Sequence, residues 1–538
     1  MFGISIKAES TQCGVSQVNE LGKLMEFFST HVIPELQDGN HAVRPMLKST
    51  SVKFVSTFRN QFSKEQLIAL MPLLITHLAS PVVVVHTYTA FTIEKIMTAR
   101  DDRGLKFGTI ELRPFLETIF TALFGIIDNT NVNENEHAMK CVMRILSVAN
   151  EEILPATQAV LDKLTASLGR VAKNPRNPRY NHYLFESIAV LIRSVCGVEP
   201  GATTAFESFL FPPFQTILQM DVSEFTPYVF QIFAQLLEFR PQGSGLGGAY
   251  TGLLQGCLNP TAWDRKGNIP ALARLLRAYL QQDATNIVSS GSFMSLMGVW
   301  QKLVSSKANE QSSFELMASI VRFVPQDALQ PVLKQIFAIL FARLTSAKTP
   351  RFVRLVTNFF ALFVGKFGAQ AFFDQLNSMQ AGMGLMVMVQ IWLPRLKSDP
   401  PVRLDAKMHV VALTKLSCET PALLADENAR KLWGQTVTTI VFLLSSPDMG
   451  QVAADEGPVE TEVSYDSGYS GLHFARRPAD DPFAEVADPA RSFAQALGAL
   501  STSHPGQLQP LIQQTLSVDP KLSSGLDNML RSAGVSLV

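Results

Sequence analysis

One apolar–proline–apolar pattern returns along most of the chain and constrains its fold more than any other feature. It surrounds Pro34, Pro72, Pro114 and Pro155, which lie 38, 42 and 41 residues apart. Further copies surround Pro212, Pro213, Pro227, Pro331 and, more weakly, Pro394. A period of about 40 residues that holds two amphipathic helices is typical of HEAT-type repeats, because stacked helix pairs share a core that one pair cannot form alone.

Local helix signals support this all-α prediction. Residues 63–66 (SKEQ) have the pattern of a capping box. Thr226 is predicted to cap a helix and Pro227 to take its first position, whereas Pro72 is expected to kink a helix from within. The β-branched run at 81–88 continues at helical spacing, so we predict helix there despite its strand propensity. The sequence therefore predicts about two dozen helices, or ten to twelve pairs, and no strand.

The domain prediction has three parts. Residues 1–446 are expected to form the solenoid, and the pattern begins in the second half of a repeat. Either further repeats precede it, or the first helix is an imperfect cap. Residues 447–490 are acidic at first and lack helical spacing, so they are predicted to be mostly irregular. Residues 491–538 are predicted to form closing helices, because terminal repeats need a polar outer face.

Composition excludes several functional classes. Basic and acidic residues both number 46, so no overall charge favours nucleic acid or an anionic membrane. The five cysteines are odd in number and never occur as CxxC, which argues against disulfide frameworks and metal clusters. They are predicted to be small buried residues in a reducing compartment: Cys13, Cys141, Cys196, Cys257 and Cys418.

No segment has the features of a signal peptide, and no apolar run approaches 18 residues. We therefore expect a soluble protein of the nucleus or cytosol, without membrane insertion. The longest apolar run, the Met-rich stretch at 383–393, has helical spacing and is predicted to be core rather than an adaptable binding surface.

The sequence contains fragments of catalytic and cofactor-binding motifs, but the predicted structure around each of them does not support such a site. Residues 243–248 match GxGxxG, but a helix rather than a strand is predicted before them, so an inter-helix loop is expected. His77 and His86 fall on different predicted helices, outside any HExxH, and are expected to be structural or exposed rather than metal ligands. The pairs 101–102 and 480–481 (both Asp-Asp) are ascribed to a turn and to solvation. The prediction is a protein without enzymatic activity, cofactor or metal.

The least ordinary stretch is residues 173–188 (KNPRNPRYNHYLFESI). Two Asn-Pro steps break one helix and an aromatic-rich helix follows. Together with Arg170, just before the stretch, its cations make four within ten residues. A solvated loop and a basic loop that binds an acidic protein surface both remain open, and zero net charge disfavours nucleic acid. Tyr183 and Phe185 are equally consistent with the core face of the next helix. The candidate partner-binding residues are Lys173, Asn174, Arg176, Arg179, Asn181, His182 and Tyr183.

Several long blocks, in order, resemble the exportin-2 (cellular apoptosis susceptibility) family of the importin-β superfamily. The blocks are residues 84–100, 173–188, 226–238, 263–280, 301–314 and 468–482. The similarity runs from about residue 11 to the last residue and corresponds to the C-terminal half of such receptors.

This resemblance implies a right-handed superhelical HEAT-repeat solenoid that performs no chemistry. It implies binding of importin-α together with Ran-GTP in the nucleus, release of both in the cytoplasm, and transient presence at the nuclear envelope. It also makes nucleoporins candidate partners. The family's N-terminal half, which forms much of its Ran site, has no counterpart here. The alternative is a general HEAT-repeat scaffold without transport activity.

Overall fold

The computed structural model describes residues 5–8, 14–18, 22–102, 104–452, 463–477, 479–516 and 519–538. These residues are predominantly helical. They divide into two compact units. The first comprises Met1–Ser244, Arg265–Leu272 and Gly457–Arg476, and the second comprises Gly245–Asp264, Ala273–Glu456 and Arg477–Val538.

The helices of the first unit precede residue 240. They are α1 (Leu24–Phe27), α2 (Ile33–Gln37), α3 (Pro45–Thr57), α4 (Lys64–Leu78), α5 (Val83–Ile96), α6 (Thr109–Leu112), α7 (Leu116–Ile127), α8 (Glu136–Ala149), α9 (Thr157–Val171), α10 (Pro178–Val198), α11 (Thr203–Gln219) and α12 (Thr226–Phe239). A π-helical turn at Phe28–Val32 joins α1 to α2. Short 3-10 turns lie at Arg59–Gln61, Arg113–Phe115, Asn150–Ala156, Pro200–Ala202, Lys266–Asn268 and Tyr465–Ser467.

These helices pack as pairs in two rows. Helices α3, α5, α8, α10 and α12 pack one against the next, and α4, α7, α9 and α11 each pack on a member of that row. Polar contacts between neighbouring pairs join residues separated by about one repeat. Examples are Arg144–Glu94 at 3.3 Å (50 residues apart), Arg179–Glu136 at 3.3 Å (43 apart) and Gln235–Ala189 at 2.9 Å (46 apart).

The second unit holds the remaining helices, apart from residues 269–272 at the start of α14. They are α13 (Gly248–Leu258), α14 (Ile269–Ser289), α15 (Ser292–Val304), α16 (Glu310–Phe323), α17 (Gln326–Ser346), α18 (Pro350–Phe367), α19 (Ala369–Asn377), α20 (Met383–Val387), α21 (Leu393–Ser398), α22 (Arg403–Cys418), α23 (Glu427–Leu444), α24 (Pro489–Ser503), α25 (Leu508–Leu516) and α26 (Pro520–Ser532). A π turn at Met388–Trp392 joins α20 to α21, and 3-10 turns lie at Pro260–Trp263, Lys307–Asn309 and Pro421–Leu423. Helices α16, α18, α22 and α24 form its continuous row.

Most of the predicted helix starts are confirmed. The Ser63 hydroxyl accepts from the Gln66 N–H at 3.3 Å and the Gln66 side chain accepts from the Ser63 N–H at 2.8 Å, which completes the capping box of α4. Pro72 lies inside α4, and the β-branched run forms α5. The prediction that Thr226 caps α12 was wrong. It is the first residue of α12, and its hydroxyl donates to the Val222 carbonyl at 3.0 Å, because the preceding turn already has helical spacing.

The prediction of no strand was also wrong. Ser5–Ala8 pairs antiparallel with Val15–Val18, and Arg100–Asp101 pairs with Gly104–Leu105. Strands of four and two residues that pair only with their neighbour carry too short an alternation to be recognised in sequence.

The core contains three of the five cysteines that the sequence assigned to it. Cys141, Cys196 and Cys257 are buried, and desolvation raises the pKa of each thiol, whereas Cys418 is partly buried and Cys13 lies outside the described residues. The Met-rich stretch buries Met388 and Trp392 as predicted.

Two histidines are structural, as expected. His77 Nε2 lies 2.9 Å from the Leu36 carbonyl, and His86 Nδ1 lies 2.9 Å from the Ser80 carbonyl. The GxGxxG stretch forms the loop before α13, whose first residue is its last glycine, Gly248, and Gly243 and Gly245 have positive φ. Residues 106–247, all described, contain no strand that could precede it.

The interpretation of 480–481 as merely solvated was wrong. Asp480 pairs with Arg322 of α16, and Asp481 pairs with Lys407 of α22 at 2.5 Å. The Lys407 side chain is only 7% exposed, so its ammonium requires this carboxylate. Phe483 is buried against α18 in the same unit. The three-part division at 446 and 490 stays a prediction.

One helix of the described ranges, α17, is long and apolar enough to cross a membrane by length and composition. Its buried residues recur at helical spacing, including Leu329, Leu333, Ile336 and Leu340. Such a one-sided pattern is typical of a helix that packs on a soluble core. The absence of membrane insertion stays a prediction.

Gly365 provides a test of how tightly the 479–488 stretch packs on α18. A Cβ atom there would overlap the Phe483 ring. We expect Gly365→Ala to lower the free energy of unfolding by about 1–3 kcal/mol, measured by urea denaturation. Gly298→Ala, in α15 with nothing within 4 Å of its Cβ, should be neutral or stabilising by about 0.5–1 kcal/mol. Equal effects of the two substitutions would contradict close packing of Phe483.

Candidate functional site

The predicted site begins where α9 ends at Val171 and α10 begins at Pro178. Asn177 caps α10, because its side-chain oxygen accepts from the Tyr180 N–H at 3.0 Å. Pro178 takes the first helical position, where its lack of an N–H has no cost. The break and restart of the helix are therefore as the two Asn-Pro steps predicted.

We call residues 170–179 the basic loop. Lys173, Arg176 and Arg179 are exposed. Arg179 lies 3.3 Å from Glu136 of the preceding helix pair. When the Asn174 amide oxygen faces Arg176, it accepts from the Arg176 Nε and Nη2 at 2.8 and 2.9 Å. The loop thus presents cations that are partly ordered by local bonds.

A groove of about 560 Å³ separates the basic loop from the loop that follows α7. Ile126, Ile127 and Val171 supply apolar lining, while Glu134 and Arg176 supply opposite charges. A groove that combines apolar walls with a few charged groups suits a protruding side chain or turn of another protein.

The helical half of the predicted site is largely covered. Asn181 is fully buried and His182 is 8% exposed. The Asn181 Nδ2 donates to the Tyr465 hydroxyl at 2.5 Å, and His182 Nδ1 lies 3.2 Å from the Tyr228 hydroxyl. Tyr183 is half-buried, with the Lys140 ammonium 5.4 Å from its ring centroid.

Residues 463–476, which we call the docked segment, provide that cover. Three side chains of α10 and α12 bind the main chain of this segment. Glu186 accepts from the N–H groups of 473 and 474 at 2.5 and 3.0 Å. Gln231 accepts from the N–H of 472 at 2.8 Å and donates to the carbonyl of 470 at 3.1 Å. Gln235 donates to the carbonyl of 474 at 3.2 Å.

Apolar side chains complete the docking. Leu472, Phe474 and Ala475 are all buried. Leu472 immediately precedes the turn that the Arg476 N–H closes on the His473 carbonyl, and Phe474 lies within that turn. We call the surface that receives them the α10–α12 groove.

Burial shifts two adjacent titratable groups in opposite directions. Desolvation raises the pKa of Glu186 from 4.5 to about 7, although the two N–H groups and Arg476 favour its charged form. Desolvation lowers the pKa of His182 from 6.5 to about 4. His182 Nε2 lies 3.7 Å from the Glu186 carboxylate.

Sequence reasoning identified neither Glu186 nor the two glutamines as functional residues. A signal was present, because Gln231 and Gln235 lie four residues apart within the otherwise apolar α12. Such a polar pair on a buried helix face requires partners. Those partners lie more than 230 residues further along the chain, so no local pattern could supply them.

The opposite pKa shifts predict opposite pH dependences. Glu186 stabilises the fold fully below pH 4.5 and loses this contribution as the pH rises to about 7. His182 contributes above pH 6.5 and loses this as the pH falls to about 4. Between these limits the two effects offset each other.

Single substitutions should separate the two effects. Relative to wild type, Glu186→Gln should lose stability as the pH falls from 6.5 to 4.5, by up to about 1.4 kcal/mol per pH unit. His182→Gln should gain stability over the same range. Urea denaturation across this range measures both, and parallel profiles for the two variants would contradict the shifts.

Comparison with known proteins agrees with this architecture. The family model described as CAS/CSE protein, C-terminus, matches residues 94–523, and the model described as Cse1 matches residues 1–93. Exportin-2 of Xenopus laevis is 37% identical over 545 residues, covering 99% of this chain and 55% of the relative. Human exportin-2 is 36% identical over 541 residues with the same coverage. The chain spans about half the length of these curated relatives.

Solved structures support the fold class. The exportin Cse1 in its cargo-free, cytoplasmic state superposes with a TM-score of 0.83 at 27% identity, covering 98% of this chain and 53% of that one. Importin beta in an ammonium sulfate condition gives a TM-score of 0.60 at 10% identity, covering 94% and 58%, and shows the fold alone. The predicted HEAT-type helical repeat and the resemblance stated from sequence are both confirmed.

Proposed function

The chain belongs to the CAS/CSE family, and on that premise we propose that it acts in a nuclear transport receptor that binds importin-α and Ran-GTP. The observation that carries the proposal is the 36–37% identity to proteins named exportin-2 across 99% of this chain. The proposed receptor shuttles between nucleus and cytoplasm, with nucleoporins as transient partners, and catalyses no reaction.

The proposed mechanism is a binding linkage. If Ran-GTP raises the affinity for importin-α, importin-α must raise the affinity for Ran-GTP by the same factor. Stacked helix pairs suit this role, because each pair contacts only its neighbours and small rotations between pairs can add along the stack.

We propose the basic loop as one contact surface. Lys173, Asn174, Arg176 and Arg179 are exposed beside the groove of about 560 Å³. An acidic partner surface would complement these cations and gain mainly in association rate. Asn181 and His182 lie beneath the docked segment, so they join this surface only if that segment leaves.

Reversal of the loop charges tests this surface. We expect the triple variant Lys173→Glu, Arg176→Glu and Arg179→Glu to lower the association rate with importin-α by about tenfold at low salt. The loss should shrink between about 50 and 300 mM NaCl, because salt screens exposed charges. Biolayer interferometry with immobilised importin-α, with and without GTP-locked Ran, measures both effects.

A matched control reverses three exposed cations elsewhere, Lys334, Lys348 and Arg351. It makes the same change in net charge and should bind like the wild type. If both triple variants bind equally, the basic loop is only solvated. If the wild-type chain retains neither partner, the HEAT-repeat scaffold interpretation is favoured, which the 55% coverage of the relatives also allows.

A further inference from the structure

The α10–α12 groove binds main chain rather than particular side chains of the docked segment. Carboxylate and amide groups of Glu186, Gln231 and Gln235 contact the carbonyl of 470, the consecutive N–H groups of 472, 473 and 474, and the carbonyl of 474. Each of the three side chains is at most 3% exposed. Main-chain binding of this kind accepts any peptide that can follow the same backbone path and whose side chains fit the apolar pockets.

The two glutamines are anchored independently of the segment. The Gln231 amide also donates to the Pro227 carbonyl at 3.1 Å, and the Gln235 amide to the Ala189 carbonyl at 2.9 Å. Each amide group therefore donates one hydrogen bond to a helix carbonyl and a second one to the docked segment. The groove is preorganised for the main chain of the segment, which lowers the entropy cost of binding.

The segment depends on the groove for its own backbone bonds. Its internal bonds close turns, from the Gly468 N–H to the Tyr465 carbonyl and from the Arg476 N–H to the His473 carbonyl. Between these turns, the carbonyl of 470 and the N–H of 472 bind α12. Within the second turn, the N–H and carbonyl of 474 bind α10 and α12. It is thus held as a bound peptide is held, by a receptor surface, rather than as part of a helix or sheet ladder.

The docked arrangement also includes features that are unfavourable in free energy. The side-chain oxygens of Asn181 and Gln235 are buried without a hydrogen-bond partner. A buried carboxylate, that of Glu186, faces the segment, and a cavity of about 250 Å³ remains between Tyr465, Tyr469 and the neighbouring loops. Unsatisfied buried groups offset part of the apolar gain.

We propose that residues 463–476 are an exchangeable internal ligand of a peptide-binding groove on α10 and α12. The competing occupant is a partner peptide that makes the same turn and carries two apolar side chains two residues apart, in the positions of Leu472 and Phe474. While docked, the internal ligand covers Asn181 and His182 and closes that surface to partners. This inference does not depend on the identity of any transport partner.

A peptide supplied in trans tests the proposal. The probe is a fluorescein-labelled peptide of residues 463–476 (VSYDSGYSGLHFAR), and its control carries Asp at the positions of Leu472 and Phe474. The receptors are the wild-type full chain and the full chain with Leu472→Asp and Phe474→Asp, whose groove should be vacated. Fluorescence anisotropy should show the probe binding at least about tenfold more tightly to the vacated chain.

The groove residues supply a second comparison. Adding Gln231→Ala and Gln235→Ala to the vacated chain should weaken probe binding by about tenfold, with helicity by circular dichroism unchanged. Equal affinity for both chains, or equal affinity of both peptides, overturns the proposal.

Hydrogen exchange measured on the wild-type chain tests the proposal without any variant, so poor folding of a variant cannot affect the result. The amides of 472–474 should exchange by local opening, at least about tenfold faster than buried amides of α10 and α12. Excess unlabelled probe should not slow hydrogen exchange at the amides of α10 and α12, because these helices stay folded when the segment leaves. Identical exchange rates for segment and helices would show one cooperative unit and overturn the proposal.

Discussion

A single helix pair of this chain cannot bury its own apolar faces, and the rest of the structure follows from that constraint. Helix α10 is an example, since its buried residues run from Tyr180 to Cys196 and face neighbours on several sides. Packing of pair on pair supplies the missing cover. The polar contacts obey the same rule, because Arg144–Glu94 and Gln235–Ala189 each link residues one repeat apart. Stability is therefore gained mostly between nearest neighbours.

The sequence could predict what depends on nearby residues. The capping box at Ser63 needs four consecutive residues, and the helix at α5 needs only the continuation of its apolar spacing. Thr226 was misplaced because the turn before it is already helical. The hairpins escaped detection because their strands have no more than four residues.

Long-range polar contacts could not be predicted. Asp481 and Lys407 are 74 residues apart, and Glu186 lies 287 residues from its bond at His473. No periodicity connects such positions, so acidic residues in an irregular stretch resembled ordinary solvated groups. The basic loop was placed correctly between two helices, but sequence could not reveal that part of its candidate site lies beneath the docked segment.

Main-chain binding in the α10–α12 groove has a consequence for how this region can evolve. The bonds from Glu186, Gln231 and Gln235 end on peptide groups that almost every amino acid provides. Positions 470, 471 and 473 of the docked segment can therefore drift in sequence without losing those bonds. The three groove side chains cannot change in this way, because each must place its polar atoms at fixed positions to make these bonds. Across related chains, variation should collect on the ligand side while the helices keep their polar residues.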